Sequence, residues 1–87
     1  MNGRARVLLT AQAARELEAL PLVIHARVLS LLERLGRWPA VSGAKPLSGR
    51  LAGHFRLRTG DYRVQFRVEG RTVFVEKIGH RDRFYED

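Results

Sequence analysis

The chain has 87 residues, no cysteine, 45% hydrophobic residues and a formal net charge of +7. One domain over residues 1–87 is expected, disulfides and thiolate metal sites are excluded, and no apolar run approaches the roughly 20 residues that span a bilayer. The charge, with a sequence pI near 11.3, calls for a polyanionic partner: nucleic acid, ribosome, anionic membrane or an acidic protein.

Met1 to Arg6 lacks the apolar core of a signal peptide, so a cytoplasmic chain with no membrane partner is expected. Arg4 to Thr10, rich in Val7, Leu8 and Leu9, reads as a first strand. Thr10 can cap a helix from Ala11 to Leu20, with Ala13, Leu17 and Leu20 inward and Arg15, Glu16 and Glu18 mainly solvated. Pro21 suits the first turn of a second helix, whose buried stripe is Ile24, Val28, Leu31 and Leu35, widened by Leu32. Gly36 offers a left-handed cap, with Pro39 just beyond. The two helices form a helical hairpin.

Ala40 to Gly53 reads as a Gly/Ser/Pro-rich loop carrying Lys45 and Arg50 and anchored by Leu47. The period then changes to two. His54, Arg56 and Arg58 point one way, and Phe55 and Leu57 the other. Gly60-Asp61 signals a hairpin. In Tyr62 to Val68 the apolar positions face the helices, while Arg63, Gln65 and Arg67 face out. Glu69-Gly70 makes a second turn, and Arg71 to Ile78, apolar at Val73, Phe74 and Val75, reads as an interior strand. The expected fold is α+β in the order β-α-α-β-β-β: an N-terminal strand, the helical hairpin, then a three-stranded antiparallel meander. The helices cover one sheet face.

The free face then carries Arg56, Arg58, Arg63 and Arg67 on neighbouring strands about 5 Å apart. Such a cluster repels itself until anions neutralise it, and the guanidinium fork suits phosphate. The plainer alternative is that these arginines keep a solvated face soluble and its edges unpaired. His54 and His80 flank the cluster and can move protons, although a surface histidine is more often passive. RNA can be cleaved by its own 2′-hydroxyl attacking the adjacent phosphate. That reaction needs a base, cations for the pentacoordinate charge and an acid for the leaving 5′-oxygen. No metal or cofactor is expected, because the histidines lack ligand-like spacing and the carboxylates are scattered. A phosphate-binding glycine loop and a Gly-x-Ser-x-Gly elbow are both missing, which argues against NTP hydrolysis and serine chemistry.

Three strings carry a family resemblance: Lys45-Pro46-Leu47-Ser48-Gly49, then Gly53-His54-Phe55-Arg56-Leu57-Arg58-Thr59-Gly60-Asp61-Tyr62-Arg63-Val64, then Gly79-His80-Arg81-Asp82 with Phe84-Tyr85. Upstream, Thr10 to Leu17 and Leu20-Pro21 extend it. In this order and at this length the chain resembles the RelE/ParE superfamily of toxin–antitoxin toxins. The resemblance implies one of two activities. The RelE-like branch, favoured here, cleaves messenger RNA in the ribosomal A site without metal. The ParE-like branch poisons DNA gyrase by binding. Carried over to this chain, the nuclease positions are Arg56, Arg58, Arg63, Arg81 and Tyr85. Around them Lys45, Arg50, His54, Arg67, His80 and Arg83 are expected to bind RNA. Arginine stands at 56 and 58 where relatives carry lysine. Since arginine stays protonated, those two residues bind phosphate and the base lies elsewhere. The resemblance also implies a cognate acidic antitoxin, a toxin–antitoxin hetero-oligomer, and the ribosome and mRNA as targets. A plain RNA-binding module is the remaining alternative.

Overall fold

The structure, a computed structural model, describes residues 4–84. In chain order it has β1 (Arg6–Leu9), α1 (Ala11–Glu18), α2 (Leu22–Leu35), β2 (Lys45–Pro46), β3 (His54–Thr59), β4 (Tyr62–Glu69) and β5 (Thr72–His80). The expected α+β architecture holds, with one mixed sheet ordered β1-β5-β4-β3-β2. β1 runs parallel to β5, and the remaining neighbours are antiparallel. The helices cover one face. There Val28, Leu31, Leu32 and Leu35 of α2 and Ala13 of α1 close on Leu57, Val64, Phe66, Val73, Val75 and Ile78. The tight turns rest on glycine: Gly60 and Gly70 adopt φ of 59° and 58°, left-handed values that L side chains rarely take.

Five expectations are corrected. Residues 40–53 are not all loop: Lys45 and Pro46 pair with Arg56 and Phe55, and Gly49–Leu51 form a 3-10 turn. A two-residue strand containing proline carries no periodicity, yet it blunts the sheet edge. Gly36 ends α2 in the right-handed region (φ −63°, ψ −12°), because its N–H reaches Glu33 O and the chain continues helically into Trp38. Pro21 is the N-cap rather than a first-turn residue, and α1 stops at Glu18. Glu16 is not mainly solvated: its Oε1 accepts the Ile78 N–H at 2.7 Å.

That last contact follows from the sheet. β1 ends at Leu9, so β5 loses its neighbour beyond Val75 and exposes backbone donors and acceptors. Thr10 N–H donates to Val75 O at 3.0 Å, Thr10 Oγ1 donates to Glu76 O at 3.4 Å, and the Glu16 carboxylate takes Ile78 N–H. Thr10 Oγ1 also accepts Ala13 N–H at 3.1 Å and so caps α1. One short segment thereby caps the helix and finishes the strand. Glu16→Ala is expected to cost about 1.5–3 kcal/mol, the scale of a charged hydrogen bond, and Glu16→Gln less because an acceptor remains. Chemical denaturation of both variants checks this, and equal stabilities would contradict it.

Trp38 closes the other end of the core, edge-on to Phe55 at 4.8 Å and to Phe66 at 5.3 Å between ring centroids. Phe55 and Phe66 lie opposite each other across β3 and β4 and stack at 5.6 Å.

Candidate nucleic-acid interface

Pairing sets the outward face. Lys45 opposes Arg56, Arg58 opposes Arg63, and His54 opposes Arg67. Like charges directly opposite on one sheet face destabilise it. At the first two pairs the side chains border a recess of about 250 Å³ lined by Gly43, Lys45, Arg56, Leu57, Arg58 and Arg63. Four of those six residues are cations and none is an acid. Arg63 Nη1 donates weakly to Gly60 O at 3.4 Å. Among the described residues, Lys45, Arg58 and Arg63 form no ion pair. With four cations and no acid on its lining, such a recess carries positive potential.

At the third pair both residues meet carboxylates. His54 Nδ1–H donates to Glu76 Oε1 at 2.7 Å, and Gln65 Nε2 reaches the same oxygen at 3.4 Å. Arg67 Nη1 donates to Glu76 Oε2 at 3.2 Å and Nε to Glu69 Oε2 at 3.0 Å, while its guanidinium lies 4.3 Å from the Phe74 ring centroid. The hydrogen bond it donates to Glu69, then the one it donates to Glu76, pushes the Arg67 pKa up from its ordinary value. Glu76 occupies this position through a β-bulge. Phe66 pairs Val75 and Gln65 pairs Lys77, which leaves Glu76 as the extra residue. Since a carboxylate only accepts, Nδ1 of His54 carries the proton and Nε2 is the ring atom left to exchange one.

The sequence-expected residues divide accordingly. Lys45, Arg56, Arg58 and Arg63 converge on the recess. Arg81 does not line it. Its N–H donates to Asp61 O at 2.7 Å and its Nε lies 3.9 Å from Asp61 Oδ1, so it stands beside the turn joining the strands of Arg58 and Arg63. Arg50 and Arg83 are exposed on turns away from the recess lining. His54 and Arg67 share the recess's face but are engaged by carboxylates. His80 is turned the other way: it pairs with Tyr62, packs edge-on against that ring at 5.2 Å, and accepts Asp82 N–H at Nδ1. Tyr85 lies outside the described residues. The free face is also less open than expected. Phe84 is 2% exposed and shares a hollow of about 430 Å³ with Arg56, Gln65 and Lys77.

Comparison with known proteins decides the family. Residues 7–85 match the family model described as the ParE toxin of the type II toxin–antitoxin system parDE. The chain belongs to the RelE/ParE superfamily of type II toxin–antitoxin toxins. The toxin is similar to Toxin RelG of Mycobacterium tuberculosis, at 39% identity over 91% of this chain and 93% of the relative. Its fold matches the toxin–antitoxin complex RelBE2 of M. tuberculosis (34% identity, 93% and 95% of the two chains, TM-score 0.80). It also matches an archaeal RelE–RelB complex from Pyrococcus horikoshii (25%, 92% and 98%, TM-score 0.71). The isolated Escherichia coli RelE toxin, at 16% identity and TM-score 0.74 over 87% of this chain and 83% of that one, shares the fold. The family model thus carries the ParE name, while these relatives carry RelE-type names.

Proposed function

We propose that the toxin is a ribosome-dependent endoribonuclease that cuts messenger RNA in the A site. The observation supporting this reading is the recess built from two opposed cation pairs, Lys45/Arg56 and Arg58/Arg63. Folding holds Arg58 and Arg63 opposite each other against their mutual repulsion, and a phosphodiester relieves it. The 2′-hydroxyl oxygen gives up its proton and forms a bond to phosphorus, the bond to the 5′-oxygen breaks, and that oxygen takes a proton from solvent water, leaving a cyclic phosphate and a 5′-hydroxyl. The guanidiniums stabilise the added charge on the non-bridging oxygens in the transition state. Arginine cannot take the proton from the 2′-hydroxyl. In this reading His54 does so, oriented by Glu76 and two residues from Arg56 on the same strand face. The family resemblance adds Arg81, beside the β3–β4 turn, and Tyr85 to the residues proposed for the reaction. The whole chain acts as one cytoplasmic toxin domain, held by a cognate acidic antitoxin in a hetero-oligomer, as the RelB–RelE complexes are assembled.

Toe-printing on translating ribosomes with purified toxin tests the activity. A cut within the A-site codon is expected, and intact messenger would sink the reading. The matching family model favours one alternative, a gyrase poison. Cleaved gyrase–DNA complexes alongside intact messenger would establish it. Within the nuclease reading, His54→Ala is expected to lower the single-turnover rate about 10²-fold or more, whereas His80→Ala changes it little. Equal effects would remove His54 from proton transfer.

A further inference from the structure

Beside the recess, on the far side of Arg58, lies a second cationic groove of about 360 Å³ between α2 and the end of β3. Its lining is Arg27, Ser30, Leu31, Arg34, Arg58 and Thr59. Leu31 is 3% exposed, so it offers no apolar anchor, and Arg27, Arg34 and Arg58 bring three cations to a lining without an acid. Arg27 Nη1 lies at the β3–β4 hairpin, within 3.8 Å of where a Cβ on Gly60 would sit. Arg34 Nη2 donates to Ser42 O at 2.9 Å, which anchors it at the opposite end of the groove. Seven residues apart on one helix, the two arginines are separated by about 10.5 Å along its axis. That is too far for one phosphate and suits a length of backbone. The single acid of α2, Glu33, lines a different groove beside β1.

We propose that this groove is a second phosphate-binding surface, which grips the RNA strand leaving the recess. The proposal rests on the nuclease reading and extends it to the flanking nucleotides. Arg58 lines both hollows, so the cationic track is continuous from the site of cleavage to α2. A protein partner is the poorer fit, because a docked segment needs apolar anchors. Those lie instead on the β1 side, where Val7, Leu9, Leu29 and Leu32 line another groove.

The test compares two non-cleavable oligoribonucleotides, one of about three nucleotides that fills the recess and one of about ten that also crosses the groove. Binding is read by fluorescence anisotropy as a function of salt. For the longer strand, Arg27→Ala/Arg34→Ala is expected to weaken affinity about tenfold and to flatten the log–log salt slope by about 1.4, two phosphates at ~0.7 each. For the short strand, neither quantity should change. An unchanged long-strand slope, or equal losses for both lengths, overturns the proposal. Arg63→Ala separates the two layers: it should weaken both lengths. Indifference to Arg63→Ala sinks the nuclease reading, whereas sensitivity to it with indifference to Arg27→Ala/Arg34→Ala sinks only the α2 groove. Loss of binding to an acidic peptide with RNA binding intact assigns the groove to a protein and also overturns the proposal.

Discussion

Arg63→Ala is expected to slow single-turnover messenger cleavage about 10²–10³-fold while leaving the toxin at least as stable as before. Both halves come from one contact. Arg63 faces Arg58 across β3 and β4, and among the described residues neither has a carboxylate partner. Removing one cation of such a cross-strand pair relieves about 0.2–1 kcal/mol of repulsion. In the transition state the same charge is what the pentacoordinate phosphate lacks. Toe-print kinetics and thermal melting of one variant check both halves. A slowed enzyme with a lowered melting temperature would mean that Arg63 acts through the fold. An unaltered rate would move the chemistry away from the recess.

The largest stability effect is expected at Phe66, whose side chain is fully buried between Phe55 and Trp38. Phe66→Ala leaves a cavity at the centre of the sheet's helix-facing side and is expected to cost about 3–5 kcal/mol. A small domain holds about 5–15 kcal/mol in total, so a large share of the margin goes and the melting temperature should fall steeply. Phe55→Ala, at a half-buried position, should cost less. Urea titration of both variants gives the comparison. Similar midpoints would show that the aromatic cluster does not centre on Phe66.

How much of this was legible in the residues varies along the chain. The period-two alternation of His54–Thr59 and Tyr62–Glu69 placed Arg56, Arg58 and Arg63 on one face because those strands are regular and joined by a tight glycine turn. The same alternation fails on β5. The bulge at Glu76 shifts the pattern by one, so Ile78 turns inward and Glu76 becomes the hub that holds His54, Gln65 and Arg67. The signal was present in Ile78, an apolar residue at an outward parity, but only pairing shows which residue is extra. Periodicity puts Glu16 in solvent for a related reason: its partner is a β5 backbone N–H left bare by the short β1, a long-range fact without local pattern. His80 was grouped with the arginines by proximity in sequence, and the strand register sends it to the opposite face.

A double-mutant cycle on Arg58 and Arg63, read once as folding stability and once as affinity for a non-cleavable RNA, tests most directly whether two repelling strands are built to share one phosphate. The coupling should reverse sign: each alanine raises stability only while the other arginine remains, and each weakens RNA binding most while the other remains. Additive effects within about 0.3–0.5 kcal/mol in both readings would show that the two guanidiniums act apart and that the recess is not a shared phosphate site.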